Sequence, residues 1–177
     1  MSFTGGIVLS ATAALGATLL AAGPVQAATA PQAAAVPQQV TLASAQAKAA
    51  TASSKQKQRA AKAVAYAYKQ IGDPYRYGAT GPGSWDCSGL AGGSWRKAGV
   101  KLPRTTTQIY KKVKKKVSWK GAVKGDLLFF YSGKSHMGVY VGKGYMIHAP
   151  SSGKKVKKIK LTKYYKSNFS GGVRPGL

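Results

Sequence analysis

The sequence holds one thiol, Cys87, and two imidazoles, His136 and His148. A thiol reacts as its thiolate, and an unperturbed cysteine has a pKa of about 8.5. Nucleophilic chemistry near neutral pH therefore needs a neighbour that takes the proton or stabilises the sulfur anion. An imidazole can do so by forming a thiolate–imidazolium pair. A second imidazole can orient the first, which completes a nucleophile, base and orienter. Cys87 lies in Trp85-Asp86-Cys87-Ser88-Gly89-Leu90, after a Gly83-Ser84 turn and before an apolar run with helical spacing. That context predicts a helix starting at Asp86 or Cys87, with unpaired N–H groups and partial positive charge facing the sulfur. His136 precedes the apolar run 137–141, and His148 ends the run 145–148. Paired as a hairpin, those runs set the two rings side by side, one to touch the thiol and the other to orient it.

Other chemistries lack their parts. There is no Glu and there are three Asp, so a zinc site is starved of ligands and no metal is expected. One cysteine excludes an intrachain disulfide and a CxxC redox pair. Gly92-Gly93-Ser94-Trp95-Arg96 does not match the G-x-S-x-G turn of a serine hydrolase, and no phosphate-binding glycine loop is present. The competing structural reading of Cys87 is an inert buried residue.

The elements that must position these groups are readable in outline. Ser53 and Gln56 have capping-box spacing, and Ala60, Val64, Ala67 and Ile71 make one helical face that ends at Gly72 and Pro74. Residues 73–83 form a loop carrying Tyr75 and Tyr77. In the helix after Cys87, Ala91, Trp95 and Ala98 share a face and Gly99 caps the end. Gly92-Gly93 inside that helix costs about 1 kcal/mol per residue relative to Ala, which implies close packing against the backbone. Thr105 and Gln108 predict a second capping box and a short helix through Lys112. Strands are predicted over 127–131, 137–141, 145–148 and 156–161, with a last one beginning at Val173 and with Gly133, Gly142 and Gly144 in the turns. Asp126 reads as a turn residue, and Phe129, Phe130 and Tyr131 as sheet core. Helices followed by an antiparallel sheet predict an α+β fold.

Upstream, residues 1–27 read as a secretory signal peptide. An uncharged apolar run over 7–22 leads to Pro24 and to small residues before a cleavage point after Ala27, although residues 1–6 carry no Lys or Arg. Residues 28–52, rich in Ala, Gln and Pro, read as a flexible linker. The domain then spans 53–177. Against the three acids stand 28 Lys and Arg, a net charge of +25, which points to an anionic partner. Two lysine groups stand out, Lys111, Lys112, Lys114, Lys115 and Lys116, and Lys154, Lys155, Lys157, Lys158 and Lys160.

Six ordered blocks carry a family resemblance. They are Pro74-Tyr75-Arg76-Tyr77-Gly78, Asp86-Cys87-Ser88-Gly89-Leu90, Leu102-Pro103-Arg104-Thr105, Gly125-Asp126-Leu127-Leu128-Phe129-Phe130, Ser135-His136-Met137-Gly138-Val139-Tyr140 and Met146-Ile147-His148-Ala149-Pro150. Together they resemble the NlpC/P60 cell-wall peptidases over residues 57–177. The resemblance implies a papain-like α+β fold, with N-terminal helices packed on a central antiparallel sheet. It implies cysteine-type hydrolysis of amide bonds in peptidoglycan stem peptides, typically between γ-D-glutamate and a diamino acid, without a cofactor. Cys87 matches the nucleophile, His136 the base and His148 the orienting group. Tyr75 matches a tyrosine whose hydroxyl lies near the nucleophile. Asp86 and Ser88 match positions that help hold the substrate's amino end. The backbone N–H of Cys87, with Tyr75, would face the oxyanion.

A secreted, wall-associated monomer follows, with stem peptides as substrate, anionic wall polymers as partners of the lysine groups, and no specific nucleic acid. The alternative is a non-catalytic lysine-rich protein binding anionic wall polymer or nucleic acid. A third reading keeps the thiol chemistry but makes the reaction an amidase or acyl transfer.

Overall fold

The computed structural model describes residues 36–177, with side chains from Thr41 onward. The proposed signal peptide and the start of the linker lie outside the described residues. Helix α1 spans Val36–Lys69, α2 Cys87–Lys97, α3 Thr106–Lys112 and α4 Lys163–Ser167. The strands are β1 Lys116–Val117, β2 Leu127–Phe130, β3 His136–Gly142, β4 Tyr145–His148, β5 Lys157–Lys160 and β6 Phe169–Val173. They form one sheet in the order β1-β6-β2-β3-β4-β5, in which every pairing is antiparallel. The α+β architecture expected from the sequence is the one observed.

β2 is buried at all four positions because both faces of the sheet are covered. Leu127 and Phe129 join Val64, Ala91, Trp95, Met137 and Val139 in the core beneath the helices. Leu128 and Phe130 point to the other face, where Trp119, Tyr165 and Phe169 cover them. That alternation of side chains explains why β2 reads as a continuous apolar run rather than an alternating one.

Ala60, Val64 and Ala67 form the buried face of α1. Ile71 does not join them. The helix ends at Lys69, and Ile71 is 42% exposed in the turn that follows. The N-terminal end of α1 also departs from expectation. The helix starts at Val36, so Ser53 and Gln56 lie in its interior rather than at a cap. Residues 41–55 are all exposed and bury no apolar face. The absence of apolar periodicity therefore argued correctly against packing there but wrongly against helix. Alanine-rich sequence extends a helix already nucleated on the core, at little cost per residue. Gln56 is buried, and its Nε2 donates to the Pro175 carbonyl at 3.3 Å, tying α1 to the C-terminal segment. β6 ends at Val173 rather than beginning there, and α4 was not legible in its short lysine- and tyrosine-rich run.

The turn before α2 is anchored by Trp85, which is fully buried. Its Nε1 donates to Asp73 Oδ2 at 2.8 Å, and its ring meets Tyr66 edge-on at 6.1 Å. A Cβ on Gly81, which has φ +73°, would lie 1.9 Å from the indole, and one on Gly93 would lie 2.6 Å from it. Of the pair Gly92-Gly93, only Gly93 is packed against another element, the indole of Trp85. A Cβ on Gly92 would meet nothing within 4 Å.

The two glycines should separate in a urea titration. Gly93→Ala forces a methyl into the indole and should destabilise by about 1–3 kcal/mol. Gly92→Ala should be neutral or stabilise by up to about 1 kcal/mol. Equal destabilisation by both would contradict this packing.

Candidate active site

Cys87 is the first residue of α2, and Asp86 is its N-cap. The Asp86 carboxylate does more than cap. Oδ1 accepts from the Gly89 amide at 2.7 Å, from Ser88 Oγ at 3.1 Å and from Arg104 Nη1 at 3.2 Å. Oδ2 accepts from the Gly78 amide at 3.0 Å and from Arg104 Nη2. Arg104 Nη1 also donates to Ser88 Oγ at 2.9 Å. The tyrosine loop, the start of α2 and the loop before α3 therefore converge on one carboxylate. Burial on its own would raise the Asp86 carboxyl. The hydrogen bond from Arg104, the Gly89 amide, the Arg104 charge and Ser88 together outweigh burial and hold it below its ordinary value. Asp86 stays ionised because of these partners.

On the other side of the thiol, the β3–β4 register pairs Val139 with Ile147, which sets His148 across from Gly138. A Cβ on Gly138 would lie 3.2 Å from the Cβ of His148 and 2.7 Å from Met146 Sδ. The missing side chain lets the His148 ring reach His136, and His136 Nε2 and His148 Nδ1 are 2.8 Å apart. The hairpin juxtaposition expected from the sequence is present. Cys87 lies within the influence of the Met137 amide, immediately after His136, as well as the amides of Ser88 and Cys87 itself.

The proton arrangement follows from this contact. With Nε2 of His136 committed to His148, Nδ1 is its remaining nitrogen for a proton from the thiol. It can accept that proton only if Nε2 carries the hydrogen and donates to His148 Nδ1. The proton of neutral His148 then sits on Nε2, a buried atom without a hydrogen-bond partner among the described residues. No carboxylate backs the pair among the described residues.

Electrostatics run against one expectation. A resting thiolate–imidazolium pair would need the thiol pulled down and the imidazole pushed up. Burial, followed by the Asp86 charge, raises the Cys87 thiol, and the three amides only partly oppose this. Burial lowers His136 to about 4. His148 falls to about 3, through burial and then the charges of His136 and Lys157. Both directions favour a neutral thiol and a neutral imidazole at rest, since burial disfavours either charged form and Asp86 adds to it at the sulfur. Such a pair still works if the base removes the thiol proton as the sulfur attacks.

Cys87 opens onto a cavity of about 360 Å³, shared with Tyr75, Tyr77, Asp86, Ser88, Arg104 and Ser135. Tyr75 faces this centre, and its hydroxyl is raised by burial and then by negative charge at Cys87 and Asp86. Of the six site residues expected from the sequence, Tyr75, Asp86, Cys87 and Ser88 line this cavity, while His136 and His148 meet each other at the ends of β3 and β4, with the Met137 amide next to His136 reaching Cys87. Arg104 and Gly138 were missed as site residues. Both stood inside matched blocks, but residue type alone did not reveal that Arg104 spans 18 positions to Asp86. Asp126 is structural as expected, fully buried and accepting from Arg174 Nε at 2.9 Å.

The NlpC/P60 family model matches residues 72–174. A protein of Corynebacterium glutamicum named "Probable endopeptidase" is 42% identical over 86 residues, covering 49% of this chain and 41% of that protein. The "Probable endopeptidase p60" of Listeria monocytogenes is 43% identical over 95 residues, covering 52% of this chain and 19% of that protein. The matched stretch thus spans less than half the length of either relative. Among solved structures, the peptidoglycan hydrolase RipB from Mycobacterium tuberculosis aligns with a TM-score of 0.60 at 27% identity, over 68% of this chain and 66% of that one. The P60 domain of an antigen of M. avium subspecies paratuberculosis gives 0.61 at 26% identity, over 69% and 98%.

The neutral resting pair has a measurable signature. Alkylation of Cys87 by iodoacetamide should be slow at neutral pH and rise only on the alkaline side of an ordinary thiol. A fast plateau reaching into acidic pH would reveal a resting ion pair and overturn this account. The orienting contact is tested by His148→Asp, which supplies both an acceptor for His136 Nε2–H and a negative charge. In an NMR titration His136 should move upward from about 4 in that variant.

Proposed function

The chain belongs to the NlpC/P60 family, and from that premise we propose that it is a cysteine-type endopeptidase cutting amide bonds in peptidoglycan stem peptides. The observation that carries this reading is the 2.8 Å contact between His136 and His148 beside a thiol at a helix start. Cys87 is the nucleophile, His136 the base and His148 the group that fixes the tautomer of His136. As Cys87 Sγ attacks the scissile carbonyl, His136 Nδ1 takes its proton. The charge that develops on His136 is shared through Nε2–H with His148. The developing oxyanion would take hydrogen bonds from the Cys87 amide and from the hydroxyl of Tyr75, which lines the same cavity as Cys87. His136 then protonates the leaving amine and activates the water that releases the acyl group.

The bond preferred is that between γ-D-glutamate and a diamino acid, on the strength of the six blocks. Asp86 and Ser88 act at the substrate's amino end together with Arg104. The five donors already around Asp86 leave no free acceptor position, so an incoming ammonium must compete with the guanidinium. The same reading makes the protein secreted and wall-associated, drawn to anionic wall polymers by its lysines. The non-catalytic alternative leaves the His136–His148 contact and the aligned Tyr75 without a purpose.

Purified wall fragments digested with the protein and with Cys87→Ala, resolved by mass spectrometry, test this function. Cleavage should fall by roughly 10⁴-fold or more in the variant. Product masses should mark a peptide bond within the stem, whereas an amide cut between glycan and peptide would favour the amidase reading. Equal cleavage by both proteins would refute the catalytic assignment. For the wild type, kcat/KM should decline as pH falls through about 4, where His136 gains a proton and ceases to act as base. A profile without an acid limb would remove His136 from that role.

A further inference from the structure

All three carboxylates of the side chains are occupied internally. Asp73 holds Trp85, Asp86 holds Arg104, and Asp126 holds Arg174. Of 28 basic side chains, only Arg104 and Arg174 are in ion pairs among the described residues. The lysines of the surface therefore face water without a side-chain carboxylate to neutralise them.

These charges are not spread evenly with respect to the catalytic cavity. A second cavity, of about 350 Å³, adjoins the first through Ser88 and Arg104, and Arg96 and Lys101 also line it. A third, of about 560 Å³, adjoins the second through Lys101 and Leu102, and is walled by Lys112, Lys114 and Lys115. Arg174, already paired, and Leu177 also reach it, and Leu177 makes no ion pair among the described residues. Gly92, where a Cβ would meet nothing, lines the second cavity and keeps its wall low. The second lysine group, at 154–160, lines none of these three cavities.

We propose that this run of cavities from Cys87 past Arg96 and Lys101 to Lys112, Lys114 and Lys115 is a track for a polyol-phosphate polymer carried on the same wall strand that the enzyme cuts. The proposal rests on the hydrolase reading and adds to it a second, extended ligand. Lysines along the track offer compact point charges, which bind phosphate without a fixed fork geometry and so suit phosphodiesters spaced along a flexible chain. The second and third cavities have no aromatic lining residue. That argues against single-stranded nucleic acid, whose bases stack on aromatic rings. Adjacency to the thiol cavity makes the track an extension of the substrate path rather than a separate adhesive patch.

The test compares three forms of the full chain. One is wild type, one carries K101Q, K112Q, K114Q and K115Q, and one carries K154Q, K155Q, K160Q and K163Q as a charge-matched control. Binding to polyglycerol phosphate is measured at several salt concentrations, with single-stranded DNA and polyglutamate as comparison ligands. The track variant should lose about tenfold or more in affinity, and its salt slope should fall by roughly one per lysine removed. The control should change by less than about threefold. Equal losses in the two variants would overturn the proposal, leaving only general attraction by net charge. Tighter binding of DNA or polyglutamate by the wild type would overturn it too. Cleavage of a short stem peptide free of any attached polymer, measured in parallel, should be the same in all three forms. Failure of that cleavage in wild type would count against the hydrolase reading, whereas intact cleavage with an unaltered track variant would count against the track alone.

Discussion

The hydrogen bonds around the Asp86 carboxylate are the constraint on which the rest of the site depends. One buried side chain caps α2, holds the Gly78 amide of the tyrosine loop and receives the Arg104 guanidinium from the next loop. The start of α2 in turn fixes Cys87. Trp85, one residue earlier, pins the same turn to the core, with room made by Gly81 and Gly93. The thiol is thus held from both sides of its own backbone. A carboxylate so thoroughly bonded is a positioning device first, and any contact it makes with substrate runs through the balance between Arg104 and the incoming group.

Burial sets the electronic character of the centre. The two imidazoles and the thiol all sit where charge is expensive, so each rests neutral. The helix terminus supplies amides to the sulfur, but Asp86 opposes them with negative charge. The proposed chemistry then couples proton transfer to attack instead of storing a thiolate. Such an arrangement leaves the resting thiol less exposed to oxidation, which attacks the thiolate form. His148 suits this regime. A neutral acceptor fixes the tautomer of His136 without raising its basicity as a carboxylate would.

Charge is segregated through the fold. The few acids are drawn inward to hold an indole and two guanidiniums, and the lysines remain outside. Because each acid has a structural task, the large positive charge is not a bare compositional bias, since the inside of the protein consumes every side-chain group that could have moderated it. The basic walls beside the catalytic cavity follow from this division of labour.

The sequence alone determined the features that depend on local order. The start of α2, the α3 capping box, the β3–β4 hairpin and the adjacency of its two histidines all follow from spacing, periodicity and turn residues within short windows. The six blocks, read in order, pointed to the family and the α+β class. What depends on longer reach was decided only in three dimensions. Helix α1 runs further back than its buried face because propensity sustains a helix that packing has nucleated. Ile71 drops out of that face because the helix ends first. Arg104 becomes part of the site because the chain folds back across 18 residues to Asp86. The protonation of Cys87 and His136 belongs to the same class, since a helix start predicts a lowered thiol, and only burial, a property of the whole packed structure, decides that desolvation prevails.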